Sequence, residues 1–336
     1  MVPDGTGIKK DNDRNADADT KHTRIAGRPM KAVVCRKYGP PEVLSLAELE
    51  KPAPGKGQVC VKIVATAVTA SDCRVRAFRF PMWHPMILMF RLIIGVTGPR
   101  RPILGLVLAG EVESVGEDVT KFKPGDQVYG MTGADFGTYA EFKCLPENAC
   151  LVKKPSFMSY EEAAAVTYGG LLAGYCLEKG EIHRRKKVLI YGASGAIGTA
   201  AVQLAKQTGA EVTGVCSTAN LDLVESLGAD MVIDYTREDR IDTGERYDFV
   251  FDAVGKDKSS KLKVSCRKAL TRSGKYLSVD DGMLKSRTED LHKINELMES
   301  GRFRAVIDRT YTLDQIVEAH CYVDTGRKRG NVVIDV

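Results

Sequence analysis

No two of the nine cysteines are spaced as CxxC, and the closest pair is Cys144 and Cys150. That spacing excludes a short-range disulfide framework and reads as isolated thiols in a reducing compartment. No apolar run reaches the roughly 18 residues that a membrane-crossing helix needs, and there is no secretory h-region. The cytoplasm is therefore the expected location. The formal net charge is only +5 and the basic residues are scattered. Without a dense basic stripe, nucleic acid is not an expected partner. What remains is 336 residues, 43% hydrophobic and 28% charged, which suits two soluble domains with separate cores.

Residues 1–29 are poor in large apolar side chains and alternate in charge. They are expected to be a disordered N-terminal extension, and their acidic residues argue against a transit peptide. A strand pattern begins at Met30, a candidate biological start, with "MKAVVCRKYG". The text stays strand-like to about 150, as in "QVCVKIVATAV" and "LVLAGEVESVG". One apolar insertion, 82–96, contains the single tryptophan, Trp83. Two readings of it are open: a segment packed over the substrate side, or a weak membrane-surface contact aided by Arg91, Arg100 and Arg101.

From 155 the pattern changes. "SYEEAAAVTYGGLLAGYCLE" reads as a helix, with Ser159 and Glu162 spaced as a capping box. Short apolar strands then alternate with helices through "KYLSVDD", which predicts an α/β fold with a doubly wound parallel sheet. A helix at about 287–300 and a final strand close the chain.

Strand 187–191 runs into Gly192-Ala193-Ser194-Gly195-Ala196-Ile197-Gly198, where a helix opens. A glycine turn between strand and helix within a βαβ unit is a dinucleotide fingerprint. Gly195 would let the backbone approach a pyrophosphate, and Gly198 would allow close helix–strand packing. The second strand ends "GVCSTAN", without the acid that NAD sites use for the ribose hydroxyls. Its small hydroxyls suit a 2′-phosphate, although no arginine or lysine stands there. NADPH is the expected cofactor.

These residues, with "MKAVVCRKYGPPEVL", "GEVESVGEDVTKFKPGDQVYG", "GTYAEF" and "YGASGAIGTAAVQLAK", resemble the medium-chain dehydrogenase/reductase superfamily. Within it the chain is similar to the zinc-free quinone oxidoreductase, or zeta-crystallin-like, branch. The resemblance implies a GroES-like, partly open β-barrel from 30–151 plus 304–336. It implies a Rossmann NADPH-binding domain at 152–303 and an active site in the cleft between them. Zinc-dependent members have a cysteine where Thr69 stands, a His-Glu pair where Leu106-Val107 stands, and a third ligand near 167–170. Catalytic zinc needs three protein ligands, and Leu and Val provide none, so no metal is expected. Without a Lewis acid, the implied reaction is hydride transfer from NADPH to a quinone or an α,β-unsaturated carbonyl. Conjugation in such a substrate spreads the incoming charge.

By resemblance, Ser194, Gly195, Ala196, Ile197 and Gly198 form the pyrophosphate loop. Ser217 and Tyr235 match positions near the 2′-phosphate. Gly255 and Val279 lie along the nicotinamide half, Asn331 matches a C-terminal cofactor contact, and Tyr38 a tyrosine near the cleft. The chain departs from the family at Thr167 and Leu172, where a proline and a threonine usually flank the "GGL" segment. That puts the usual carboxamide contact in question. Arg74 replaces a pocket tyrosine and is either an oxyanion partner or a surface arginine. In "TASDCRVR", Thr69 is the vacated ligand position, Asp72 is expected to hold an arginine across the domain interface, and Cys73 to be an inert thiol. The segment after "YLSVDDG" lacks the extra strand through which relatives pair, so a monomer or loose homodimer is expected. Two alternatives to the quinone/enone reading stay open: an NAD(P)-dependent carbonyl or alcohol dehydrogenase, and a non-catalytic NADPH-binding protein.

Overall fold

The computed structural model describes Met1 and residues 29–336, except 81–83, 242–243, 257 and 282–284. The expected disorder of the N-terminal extension, and Trp83, lie outside the described residues. Pro29, assigned to that extension from sequence, already belongs to the first strand.

β1 (Pro29–Cys35) and β2 (Leu44–Glu50) pair antiparallel. β3 (Gln58–Ala67) leads through α1 (Ala70–Ala77) and α2 (His84–Ile94) to β4 (Val107–Val115). β5 (Gln127–Met131), β6 (Phe142–Pro146) and β7 (Cys150–Lys153) complete this run. β3 pairs with β4, with β6 and, at its far end, with the chain's last strand, so one long strand is shared by three neighbours and the sheet curls towards a barrel.

α3 (Tyr160–Lys179) starts at the expected capping box, in which Ser159 and Glu162 satisfy each other's backbone N–H groups. Most of its residues are buried, as a helix apolar all round must be. One side packs on β3, β4 and β5, the other on α4 (Ala196–Gln207) and α7 (Thr288–Glu299). Gly169 and Gly170 permit this approach. A Cβ at 169 would sit 2.5 Å from the Ala196 carbonyl oxygen, and one at 170 would sit 2.5 Å from Ile294 Cδ1.

The second sheet comprises β8 (Lys187–Tyr191), β9 (Glu211–Cys216), β10 (Met231–Asp234), β11 (Tyr247–Asp252) and β12 (Leu270–Ser278). Its order is β10-β9-β8-β11-β12 and every neighbour is parallel, with α4, α5 (Leu221–Ser226) and α6 (Lys261–Lys268) on the crossovers. The chain reverses direction across the sheet between β8 and β11. Such a switch point opens a crevice at the carboxyl ends of the strands. β13 (Ile307–Thr312), α8 (Ile316–Asp324) and β14 (Asn331–Asp335) then return to the first sheet, whose order is β13-β14-β3-β4-β5-β7. One apolar core runs through both halves along α3, from Ala65, Val107 and Tyr129 to Val188, Phe249 and Phe251.

Among the described residues, no helix is long and apolar enough to cross a membrane. No described strand pairs with the outer edge of β12.

Candidate active site

The glycine turn lies at the end of β8, beside the switch point. Gly192 takes a positive φ of 84°, and Gly195 is the N-cap of α4 with extended backbone. The two later glycines serve different ends. A Cβ at Gly198 would lie 2.1 Å from the Gly192 carbonyl oxygen and 2.7 Å from Ala193 Cα, so the fold itself requires glycine there. A Cβ at Gly195 would meet only the Gly192 oxygen, at 3.6 Å. Space left over a helix N-terminus suits an anionic group, because free N–H donors and the helix dipole point into it. The C-terminal segment closes the other side. The Gly330 N–H donates to the Ser194 carbonyl at 2.8 Å, placing Asn331 next to the loop.

At the other end of the crevice, the Asn220 amide nitrogen bridges Ser194 Oγ and Ser217 Oγ, each at 3.1 Å. Its carbonyl oxygen is buried without a partner, an acceptor beside two hydroxyls of the kind that a sugar hydroxyl would use. Tyr235 follows β10 and is half exposed. Asp234 is held by the hydroxyls of Thr218 and Thr236. Burial works against its charge, but these hydrogen bonds keep its carboxyl below the usual range. Arg237 lies 3.6 Å from Asp234 and is mostly exposed. It supplies a cation at this rim, from the third strand's turn, that inspection of the second strand alone does not find.

The turn after β11, where the resemblance puts the nicotinamide half, is organised by Asp252, fully buried at the end of that strand. Its carboxylate takes Lys263 at 2.7 Å, the Tyr276 hydroxyl at 2.9 Å and the N–H groups of Val254 and Gly255. This fixes the turn that carries Gly255, at φ 95°. The Val279 N–H donates to the Asp252 carbonyl. A Cβ on Gly255 would strike Asp280 at 2.6 Å and Arg74 at 2.8 Å. Arg74 itself reaches from α1 to Asp280 at 2.5 Å.

Residues of "TASDCRVR" fold as the start of α1. The Thr69 N–H and hydroxyl both donate to Asp72 Oδ2, at 2.9 and 2.6 Å, and the Asp72 N–H returns to Thr69 Oγ1. The second Asp72 oxygen accepts from the Gly105 N–H at 3.2 Å. Asp72 therefore pins α1 to the 104–106 turn and does not hold an arginine, as the sequence reading expected; Asp280 does that instead. Burial pushes the Asp72 carboxyl up to about 6 against these hydrogen bonds. Burial likewise raises the Cys73 thiol well above its usual value, although His320 Nδ1 lies 3.4 Å away. Arg76 is buried between His320 Nδ1, Asp324 and the Gly39 carbonyl. Tyr38 donates to the Gly95 carbonyl and packs on Phe78, which makes it a strut for the segment after α2.

One pair escaped the sequence reading. Ser71 Oγ of α1 and the Tyr168 hydroxyl of α3 lie 2.6 Å apart, one turn from Arg74 and one residue from Gly169, which abuts the start of α4. Two hydroxyls that face each other from different halves of the molecule can pass a proton. Burial raises the Tyr168 hydroxyl's pKa, so it stays protonated at neutral pH. By contrast, the Thr167 hydroxyl is committed to the Ala163 carbonyl and Leu172 is packed in the core. Neither offers a carboxamide contact.

The residues do not fit a catalytic zinc. Leu106 and Val107 are buried in the core and have no lone pair, and the Thr69 hydroxyl is held in its capping box. Among the described residues, no three His, Cys, Asp or Glu side chains cluster. A dinucleotide does fit, by the open space at Gly195 and the orphan acceptor of Asn220. Fold and site together define a two-domain, dinucleotide-dependent oxidoreductase.

Comparison with known proteins gives the family. The sequence matches the alcohol dehydrogenase GroES-like domain over 55–156 and the zinc-binding dehydrogenase family over 196–279 and 279–334. It is 33% identical to a 2-methylene-furan-3-one reductase of Solanum lycopersicum, covering 95% of this chain and 82% of that protein. It is 30% identical to a chloroplastic NADPH-dependent alkenal/one oxidoreductase of Arabidopsis thaliana, covering 96% and 84%. The quinone oxidoreductase of Coxiella burnetii superposes with a TM-score of 0.81 at 28% identity, over 92% of this chain and all of that one. The chain belongs to the medium-chain dehydrogenase/reductase superfamily, within its zinc-free quinone oxidoreductase branch.

Proposed function

We propose that this protein reduces a quinone or an α,β-unsaturated carbonyl with NADPH. One observation carries the reading: the Ser71 and Tyr168 hydroxyls and the Arg74 guanidinium gather on and beside α1, next to the positions where zinc-dependent members carry metal ligands and this chain has Thr69, Leu106 and Val107. Residues 194–198 would hold the pyrophosphate at the α4 N-terminus. Ser217, Tyr235 and the newly found Arg237 and Asn220 would hold the adenosine end, with Arg237 supporting NADPH over NADH. Gly255, Val279 and Asn331 would line the nicotinamide side. Bound there, the reduced nicotinamide supplies the hydride. Tyr168 then donates its hydroxyl proton to the substrate and regains one through Ser71. Thr69 and Tyr38 act as fixed walls, and Arg74, joined to Asp280, closes the cleft beside Gly255.

The Ser71–Tyr168 pair also gives the carbonyl dehydrogenase alternative a proton donor. Steady-state rates on an enone and its saturated ketone, each with NADPH and NADH, separate the readings. Turnover of the enone with NADPH alone supports ours, and equal turnover of the ketone overturns it. The relatives named a 2-methylene-furan-3-one reductase and an alkenal/one oxidoreductase support the enone class. Among the described residues no further strand lies between β12 and α7, which supports a monomer or loose dimer; a tight dimer in light scattering would refute it.

A further inference from the structure

α2 is apolar on two faces at once. Inward, Phe90 meets Phe80 edge-on at 4.7 Å, and Ile94 packs against the core formed by Val33, Leu104 and Ile334. Outward, Leu88, Met89, Leu92 and Ile93 are 64, 57, 55 and 61% exposed, and Val96 just beyond is 57% exposed. Residues 88 and 92, and 89 and 93, follow the helical i, i+4 spacing, so they form one stripe. Other exposed large apolar side chains, such as Leu46, Phe157 and Val264, lie far apart in the sequence, the ordinary condition of a soluble surface. A contiguous apolar stripe is different and marks an interaction site.

Along the chain, the charge flanking it is of one sign. From Cys73 to Gly110 the chain has no aspartate or glutamate, but has Arg74, Arg76, Arg79, Arg91, Arg100 and Arg101. Arg91 and Arg100 are exposed and are fixed beside the stripe by bonds to carbonyls, not carboxylates: Arg91 to Val96 at 2.9 Å, Arg100 to Leu92 at 2.8 Å. Arg91 is also held over the rings of Phe78 and Tyr38. Arg101 shares its charge with exposed Asp135.

We propose that the outer face of α2 docks on an anionic phospholipid bilayer, with its leucines and isoleucine in the interface and Arg91 and Arg100 at the headgroups. An apolar stripe with a basic border is the pattern that such surfaces bind. A second copy is the weaker occupant, because a two-fold contact would bring two arginine-bordered faces together and concentrate charge of one sign. The proposal does not depend on the reductase reading.

The test is sedimentation of the full chain with phosphatidylcholine vesicles, with and without phosphatidylserine. Binding that requires phosphatidylserine and weakens with salt is expected. Leu88→Gln/Leu92→Gln should lower partitioning about tenfold, with unchanged circular dichroism and NADPH affinity. Arg100→Gln should reduce only the preference for anionic vesicles. Absence of wild-type binding to either vesicle overturns the proposal, as does undiminished binding by the leucine double variant. A dimer in sedimentation velocity that dissolves in the double variant, without vesicle binding, assigns the face to a second copy and also overturns it.

Discussion

Arg74 and Asp280 join the two halves of the molecule: a guanidinium from the first sheet's α1 lies 2.5 Å from a carboxylate at the end of β12. Asp280 is nearly buried and also accepts the Lys256 N–H at 2.6 Å. Breaking a desolvated pair leaves a charge without its partner, the costly case. Arg74→Ala and Asp280→Asn should each raise the KM for NADPH and lower the melting temperature. A double-mutant cycle should return about 1–3 kcal/mol of coupling. If Arg74→Ala alone abolishes kcat and Asp280→Asn does not, Arg74 acts on the substrate directly.

The glycine turn permits a sharp contrast. Gly198→Ala places a methyl group against backbone that cannot yield, so it should cost about 3 kcal/mol in urea unfolding. Gly195→Ala has room in the free protein and ordinary backbone angles. It should keep its stability and lose about tenfold or more in NADPH affinity by fluorescence titration, because only the ligand requires that space. Equal affinity in Gly195→Ala would mean that the pyrophosphate lies elsewhere.

For Tyr168, the prediction is a split between kcat and KM. Tyr168→Phe should lower kcat about a hundredfold with little change in KM, and should flatten the alkaline limb of the pH–rate profile. Ser71→Ala should lose less, since water can replace its relay. An unchanged kcat in Tyr168→Phe would leave solvent as the proton source.

Two buried groups give opposite acid responses. Burial and the neighbouring Arg76 lower His320 to about 3. The unfolded chain therefore binds the extra proton first, and the His320 contribution to stability is lost as pH falls below about 6.5. Asp72, raised to about 6, takes up its proton first in the folded state and stabilises on acidification from pH 6 towards 4. Relative to wild type, His320→Asn should gain about 2 kcal/mol between pH 7 and 5 in denaturant titrations. Identical pH slopes would show that His320 is not held neutral.

Part of this protein was written locally. The strand–glycine–helix run at 187–198, the Ser159/Glu162 box and the alternation of strands and helices depend on residues a few positions apart, so period and spacing expose them. The exclusion of zinc by Leu106 and Val107 is equally local, since no fold gives an aliphatic side chain a lone pair. The Thr69/Asp72 box has local spacing too, but its purpose depends on Gly105, a contact that spacing cannot announce.

The proposed constellation was decided by tertiary structure. Ser71 meets Tyr168 across 97 residues, Arg74 meets Asp280 across 206, and Cys73 meets His320 across 247. No periodicity links such positions. They meet because α3 packs between the two sheets and the C-terminal segment returns to the glycine turn. The sequence determined which chemistry was available, and the seating of α1 on α8, within reach of α3 and the turn after β12, decided which groups face one another.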